Sequence, residues 1–199
     1  MGCLRNIIRA FILMLAAVGF ISLGGKDLIA KYVINGFNPP QEIMLERAKK
    51  VGDFSDISDE FELERAAGIL GYNAVAAEHK TSGQKFFVVD TKNKQLITKE
   101  DLQSADAEER LKKTLSKFKY QTGSIEELNV TKRGTLMSYG KTAPYIKFEA
   151  RIKKFPIGEI SGIISTVDNA EGDSRILISV NEKNKYSQLI TDEFFKKIK

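Results

Sequence analysis

The hydrophobic and polar positions along the chain fall into three regimes. The first is an unbroken apolar run, Ala10 to Leu23, with Ser22 its only strongly polar residue. The run is 14 residues long and reaches 16 with Gly24 and Gly25. A spanning helix needs about 20 residues, and a signal-peptide core about 7–15. Ile7 and Ile8 extend the run if Arg9 snorkels to the headgroups. Two readings therefore compete, an uncleaved anchor and a removed signal. The apolar stripe of Leu28, Ile29, Tyr32 and Val33 just beyond the run favours the anchor. A core helix is disfavoured because the run lacks a polar face.

The second regime mixes helical and alternating patterns. Residues 26–37 are expected to leave the membrane as a helix, stopped by Asn35-Gly36 and Pro39-Pro40. Gln41 to Val51 is expected as a short helix with Ile43, Met44, Ala48 and Val51 on one face, ended by Gly52. The acidic stretch Ser55 to Glu64 is read as the start of a solvated helix capped by Ser58; it lacks the loop pattern of an EF-hand. Tyr72–Lys80 and Gln84–Asp90 form the clearest hairpin, closed by Thr81-Ser82-Gly83. Phe86-Phe87-Val88-Val89 is continuous, so that strand is expected to be covered on both faces. Lys92-Asn93-Lys94 predicts another turn, leading to Gln95-Leu96-Ile97. Thr98 with Asp101 makes a capping box, and Leu111, Leu115 and Phe118 predict a helical core stripe.

In the third regime the period is two. Ile146, Phe148, Ala150 and Ile152 alternate with Lys147, Glu149, Arg151 and Lys153, which predicts an antiparallel strand with one buried and one wet face. Strands are also expected over 125–131, 160–167 and 175–181, the last two joined by a loop containing Gly172. Thr191 is expected to cap a final helix, 192–198, whose Phe194, Phe195 and Ile198 pack on the sheet.

The fold class expected is α+β: an N-terminal membrane helix followed by one domain with a mainly antiparallel sheet packed by helices. Residues 1–25 form the signal-anchor or signal peptide, 26–40 the membrane-proximal helix and linker, and 41–199 an extracytoplasmic domain. About 160 residues suffice for one core. The expected sheet with its closing C-terminal helix is similar to the PsbP/Mog1-like sandwich. That similarity covers the last third, rests on no motif and implies no functional residue.

Charge and single residues narrow the chemistry. Arg5 and Arg9 precede the run and Lys26 and Lys31 follow it, so the α-amine tips the orientation towards an inside amino terminus and an outside domain. The net charge of +5 is uneven: residues 1–109 hold 13 Lys and Arg against 16 Asp and Glu, and residues 110–199 hold 18 against 10. Outside a membrane, anionic lipid headgroups or wall polymers suit such a basic half better than nucleic acid. Cys3 is the only cysteine, so the domain has no disulfide and no cysteine-based zinc site. No cofactor is expected.

His79 is the only histidine, and in a strand Glu78 points to the opposite face, so it is read as a surface residue rather than a general base. Gly140-Lys141-Thr142 resembles the end of a P-loop, but the glycine spacing is wrong and a strand follows. Ser161 lacks nucleophile-elbow spacing, and Asn129-Val130-Thr131 is a sequon that matters only in a eukaryotic secretory pathway.

These features predict a membrane-tethered binding or adaptor module without catalytic residues, whose partners are the bilayer through residues 7–25 and a protein or anionic polymer. The alternatives are an envelope hydrolase using carboxylate or Ser/Lys chemistry, and an anionic lipid or polymer binder. The candidate anionic-ligand face is the row Lys147, Arg151 and Lys153, with Arg175 expected on a nearby strand.

Overall fold

In a computed structural model of the chain, residues 41–69, 72–91, 97–109, 124–153, 159–169 and 171–199 are described. The apolar run, the membrane-proximal helix, Cys3, the Lys92–Lys94 turn and the stripe of Leu111, Leu115 and Phe118 lie outside them. Among the described residues no helix is long and apolar enough to cross a membrane.

The domain is an α+β structure built on a seven-stranded antiparallel sheet. Its strands are β1 (Phe61–Ile69), β2 (Tyr72–His79), β3 (Lys85–Asp90), β4 (Ser124–Ser138), β5 (Lys141–Lys153), β6 (Glu159–Asp168) and β7 (Ser174–Glu182). The spatial order is β1-β2-β3-β7-β6-β5-β4. Two meanders, β1 to β3 and β4 to β7, thus meet where β3 pairs with β7, leaving β1 and β4 as edges. The helices are α1 (Gln41–Lys49), α2 (Lys99–Gln103) and α3 (Gln188–Lys196).

The β2–β3 hairpin follows from its turn chemistry: Gly83 sits at φ 68° and donates to the His79 carbonyl at 2.9 Å. Phe86, Phe87 and Val88 are all buried, so β3 is covered on both faces as its continuous run predicts. The capping box also forms, with Thr98 Oγ1 accepting from the Asp101 amide and the Asp101 carboxylate accepting from the Thr98 amide.

Three expectations are corrected. The acidic stretch does not open a helix: Phe61–Ile69 is the edge strand β1, paired with β2, and Ser58 Oγ has no hydrogen-bond partner among the described residues. The helix-forming residues of FELERAA yield to strand pairing, and a bulge between Leu63 and Arg65 resets the alternation so that Phe61, Leu63 and Ala66 all meet the core. The last helix starts earlier, with Ser187 rather than Thr191 as its cap; Thr191 is fully buried inside α3. The third concerns β5, whose second face is wet only in part. Ala143 and Tyr145 on that face are buried in the same cluster as Phe194 and Phe195.

The main core lies on that face. Ala48, Val51, Phe61, Val75, Ala77, Phe86, Val88, Leu136, Ile163 and Leu177 surround Phe194, Phe195 and Ile198, each of which is fully buried. Phe86 and Phe194 stack with ring centroids 4.3 Å apart, and Phe61 and Phe195 meet them at steep angles. On the opposite face Ile146, Phe148, Ile164, Ile176 and Ile178 are buried, and α2 packs there against β5 and β6. A partly exposed Lys99–Asp168 pair at 2.6 Å links the start of α2 to the end of β6.

Candidate binding face

Beyond Tyr145, odd-numbered residues of β5 emerge from under α3. Lys147, Glu149 and Arg151 lie there in line, because strand geometry returns a side chain to the same face every second residue. The ladder puts Arg151 opposite Glu159 of β6 and Glu127 of β4, and Glu149 opposite Ser161 and Asn129.

Of the expected row Lys147, Arg151 and Lys153, the side chains of Lys147 and Arg151 are described, with Glu149 between them. Arg151 is exposed, and its Nη2 lies 2.5 Å from Glu159 Oε1. Lys183, just past β7, joins Glu149 at 2.9 Å and Glu159 at 3.0 Å. The result is an alternating chain of charge, Arg151–Glu159–Lys183–Glu149, running over the ends of three strands. Hydrogen bonds from Arg151 and then Lys183 hold the Glu159 carboxyl below its ordinary range. Bonds to Glu149 and then Glu159 push the Lys183 ammonium above its own.

Lys147 is half-buried, with its ammonium 4.9 Å from the centre of the Tyr186 ring. The backbone of Lys153 pairs with Ser124 at the end of the ladder, and its side chain is outside the described residues. Arg175 does not belong to this face's charges at all. It lies at the far end of β7, only 3% exposed, and binds Asp90 at 2.9 Å and the Val51 carbonyl at 3.1 Å. Sequence reasoning missed Glu159, Lys183, Tyr186 and Lys132, which come to the face through strand register, a loop and a bulge.

His79 is buried rather than on the surface, at 8% exposure. The Ser82 amide donates to its Nδ1 at 3.2 Å, so in the neutral ring the proton sits on Nε2, which faces Glu60 at 3.8 Å. Its ring stands edge-on to Phe61. Glu78 does point to the other face, where Lys85 binds it together with Glu64. The histidine thus locks the β2–β3 turn. Gly140 is a turn residue at φ 67° between β4 and β5, with no helix after it to cradle a phosphate. Ser161 is buried and bonds to the Phe148 carbonyl.

Among the described residues no group of three or more His, Cys, Asp or Glu side chains is placed to hold a metal ion. A hollow of about 500 Å³ beside α3 is lined by Asp192, Glu193 and Lys196 of that helix and by its C-cap, Lys197. No known family model matches the chain, and no curated protein matches it.

Proposed function

We propose that the domain is a non-catalytic adaptor, held outside the cell by its N-terminal apolar run and binding another protein through the charged end of its sheet. The observation that carries this reading is the chain Arg151–Glu159–Lys183–Glu149. Within that chain each cation lies against a carboxylate, so these four side chains add little net field with which to hold a polyanion. A fixed pattern of alternating charge suits a protein surface of complementary pattern, where it sets register and rejects wrong partners. The tether reading rests on Ala10–Leu23 and the stripe beyond it. Helices on both sides of one antiparallel sheet are compatible with the PsbP/Mog1-like resemblance of the last third.

The test uses the full-length chain in its native membranes, with a photoreactive residue placed at the exposed Asn129, directly opposite Glu149, or, as a control, at Asp106. The expected result is an alkali-resistant membrane fraction in which the first position alone gives a discrete heavier adduct. A soluble mature chain starting near Gly25, or equal adducts from both positions, would overturn the reading.

A further inference from the structure

One pair of cations is left out of the charge chain. A bulge between Val130 and Lys132 shifts the β4–β5 register by one residue, and this brings Lys132 directly opposite Lys147 on the same face. Like charges opposite one another repel, and a sheet ordinarily avoids the arrangement. Among the described residues neither lysine has an ion-pair partner. The nearest carboxylate along β5, Glu149, is taken by Lys183 at 2.9 Å. On the other side the next pair is Gly134 and Tyr145, which brings no carboxylate; the Tyr145 ring lies so close over Gly134 that an added Cβ would sit 2.8 Å from Cζ.

We propose that Lys132 and Lys147 form a two-lysine site for an oxyanion of the phosphate type. Lys147 is the fixed member. Its ammonium rests on the Tyr186 ring, and Thr191 and Gln188 anchor the Tyr186 hydroxyl, each at 3.1 Å. Lys132 is the exposed member. Cβ atoms of directly opposed residues lie about 4.5–5.5 Å apart, so two long side chains converge readily on one group. A phosphate carries enough charge and enough acceptor oxygens to satisfy both ammoniums and to replace their repulsion with two charge-assisted hydrogen bonds. The inference goes beyond the adaptor reading and stands without it, since neither lysine belongs to the charge chain.

The experiment follows the lysines of the full chain, in neutral detergent, by NMR after ¹³C-dimethylation, which keeps their charge. Titration with inorganic phosphate should shift the Lys132 and Lys147 signals together and saturably, while Lys80 and Lys183 stay still. Chloride at equal ionic strength should not reproduce the shift. Lys132→Gln should weaken phosphate binding at least tenfold without touching Tyr186, and Lys147→Arg should retain it. Co-flotation with phosphatidylglycerol against phosphatidylcholine vesicles distinguishes the source. Lysine-dependent flotation identifies a lipid phosphate, and its absence with saturable phosphate binding identifies a soluble one. A linear drift shared by all surface lysines, or unchanged binding by Lys132→Gln, would overturn the site.

Discussion

At the scale of single residues, two glycines are used as floors for aromatic rings on opposite faces of β5. Phe148 lies across its partner Gly162, and Tyr145 across Gly134. An added Cβ at Gly162 would meet the Ser179 backbone oxygen at 2.4 Å and the Phe148 ring at 2.9 Å. Gly162→Ala is therefore expected to cost about 1–3 kcal/mol through overpacking, read as a fall in the urea midpoint. A second change, Phe148→Leu, should not rescue it, because the nearer obstacle is backbone. Recovery in the double variant would show that the ring alone sets the limit. The Tyr139-Gly140 turn works differently: both residues have positive φ, at 50° and 67°. Tyr139 tolerates this conformation because it is buried and its hydroxyl donates to the Val51 carbonyl at 2.7 Å.

At the scale of elements, the decisive contact is the docking of α3. Gln84 is fully buried, and the two hydrogens of its amide nitrogen are shared among three acceptors, Ser179 Oγ at 2.9 Å, the Ser187 carbonyl at 3.0 Å and Thr191 Oγ1 at 2.7 Å. Its oxygen accepts from the Ser187 amide at 2.8 Å. This knot explains why the helix starts at Ser187: Thr191 is a capable cap by type, but its hydroxyl is used inside the sheet–helix interface. Gln84→Leu keeps the volume and removes the partners, so a loss of about 1–3 kcal/mol is expected from the stranded polar groups. Amide exchange over 188–196 should accelerate more than exchange in β6. Uniform acceleration across the domain would mean that Gln84 stabilises the core at large rather than the helix contact.

At the scale of the whole molecule, the buried Arg175–Asp90 pair and the chain end join distant segments. Arg175 and Tyr139 share the Val51 carbonyl, and the Asp53 and Lys199 backbones bond to each other at 2.7 and 3.1 Å. Burial raises the Tyr139 phenol well above its ordinary range, and burial does the same to Tyr186. An unfolded tyrosine ionises near pH 10 while the folded one keeps its proton, so this stability is complete below about pH 10 and is lost as pH rises beyond it. Tyr139→Phe is expected to cost about 1 kcal/mol at pH 8, for the lost hydrogen bond, and to shrink the further loss between pH 8 and 11. Urea unfolding at the two pH values checks it. An unchanged alkaline loss would place the effect elsewhere.

Local spacing alone determined much of the fold. Gly83 at the end of a three-residue turn, Thr98 three residues before Asp101, and the strict alternation from Ile146 to Ala150 each act over a few residues, and each forms as its chemistry requires. The apolar stretch Phe86–Val89 likewise announced a strand buried on both sides. Period two also placed Lys147, Glu149 and Arg151 on one face, so part of the candidate face was legible. What lay opposite them was not. Glu159 and Lys183 reach Arg151 and Glu149 only through the β5–β6–β7 register, and Lys132 reaches Lys147 only through a bulge. The same limit applies to β1, whose helix-forming residues became an edge strand because β2 offered a ladder, and to His79, buried against Phe61 of that strand. A pattern along the chain sets which side chains share a face. Only the tertiary structure decides what covers that face, because a partner strand or helix is brought by contacts of long sequence separation that no local period encodes.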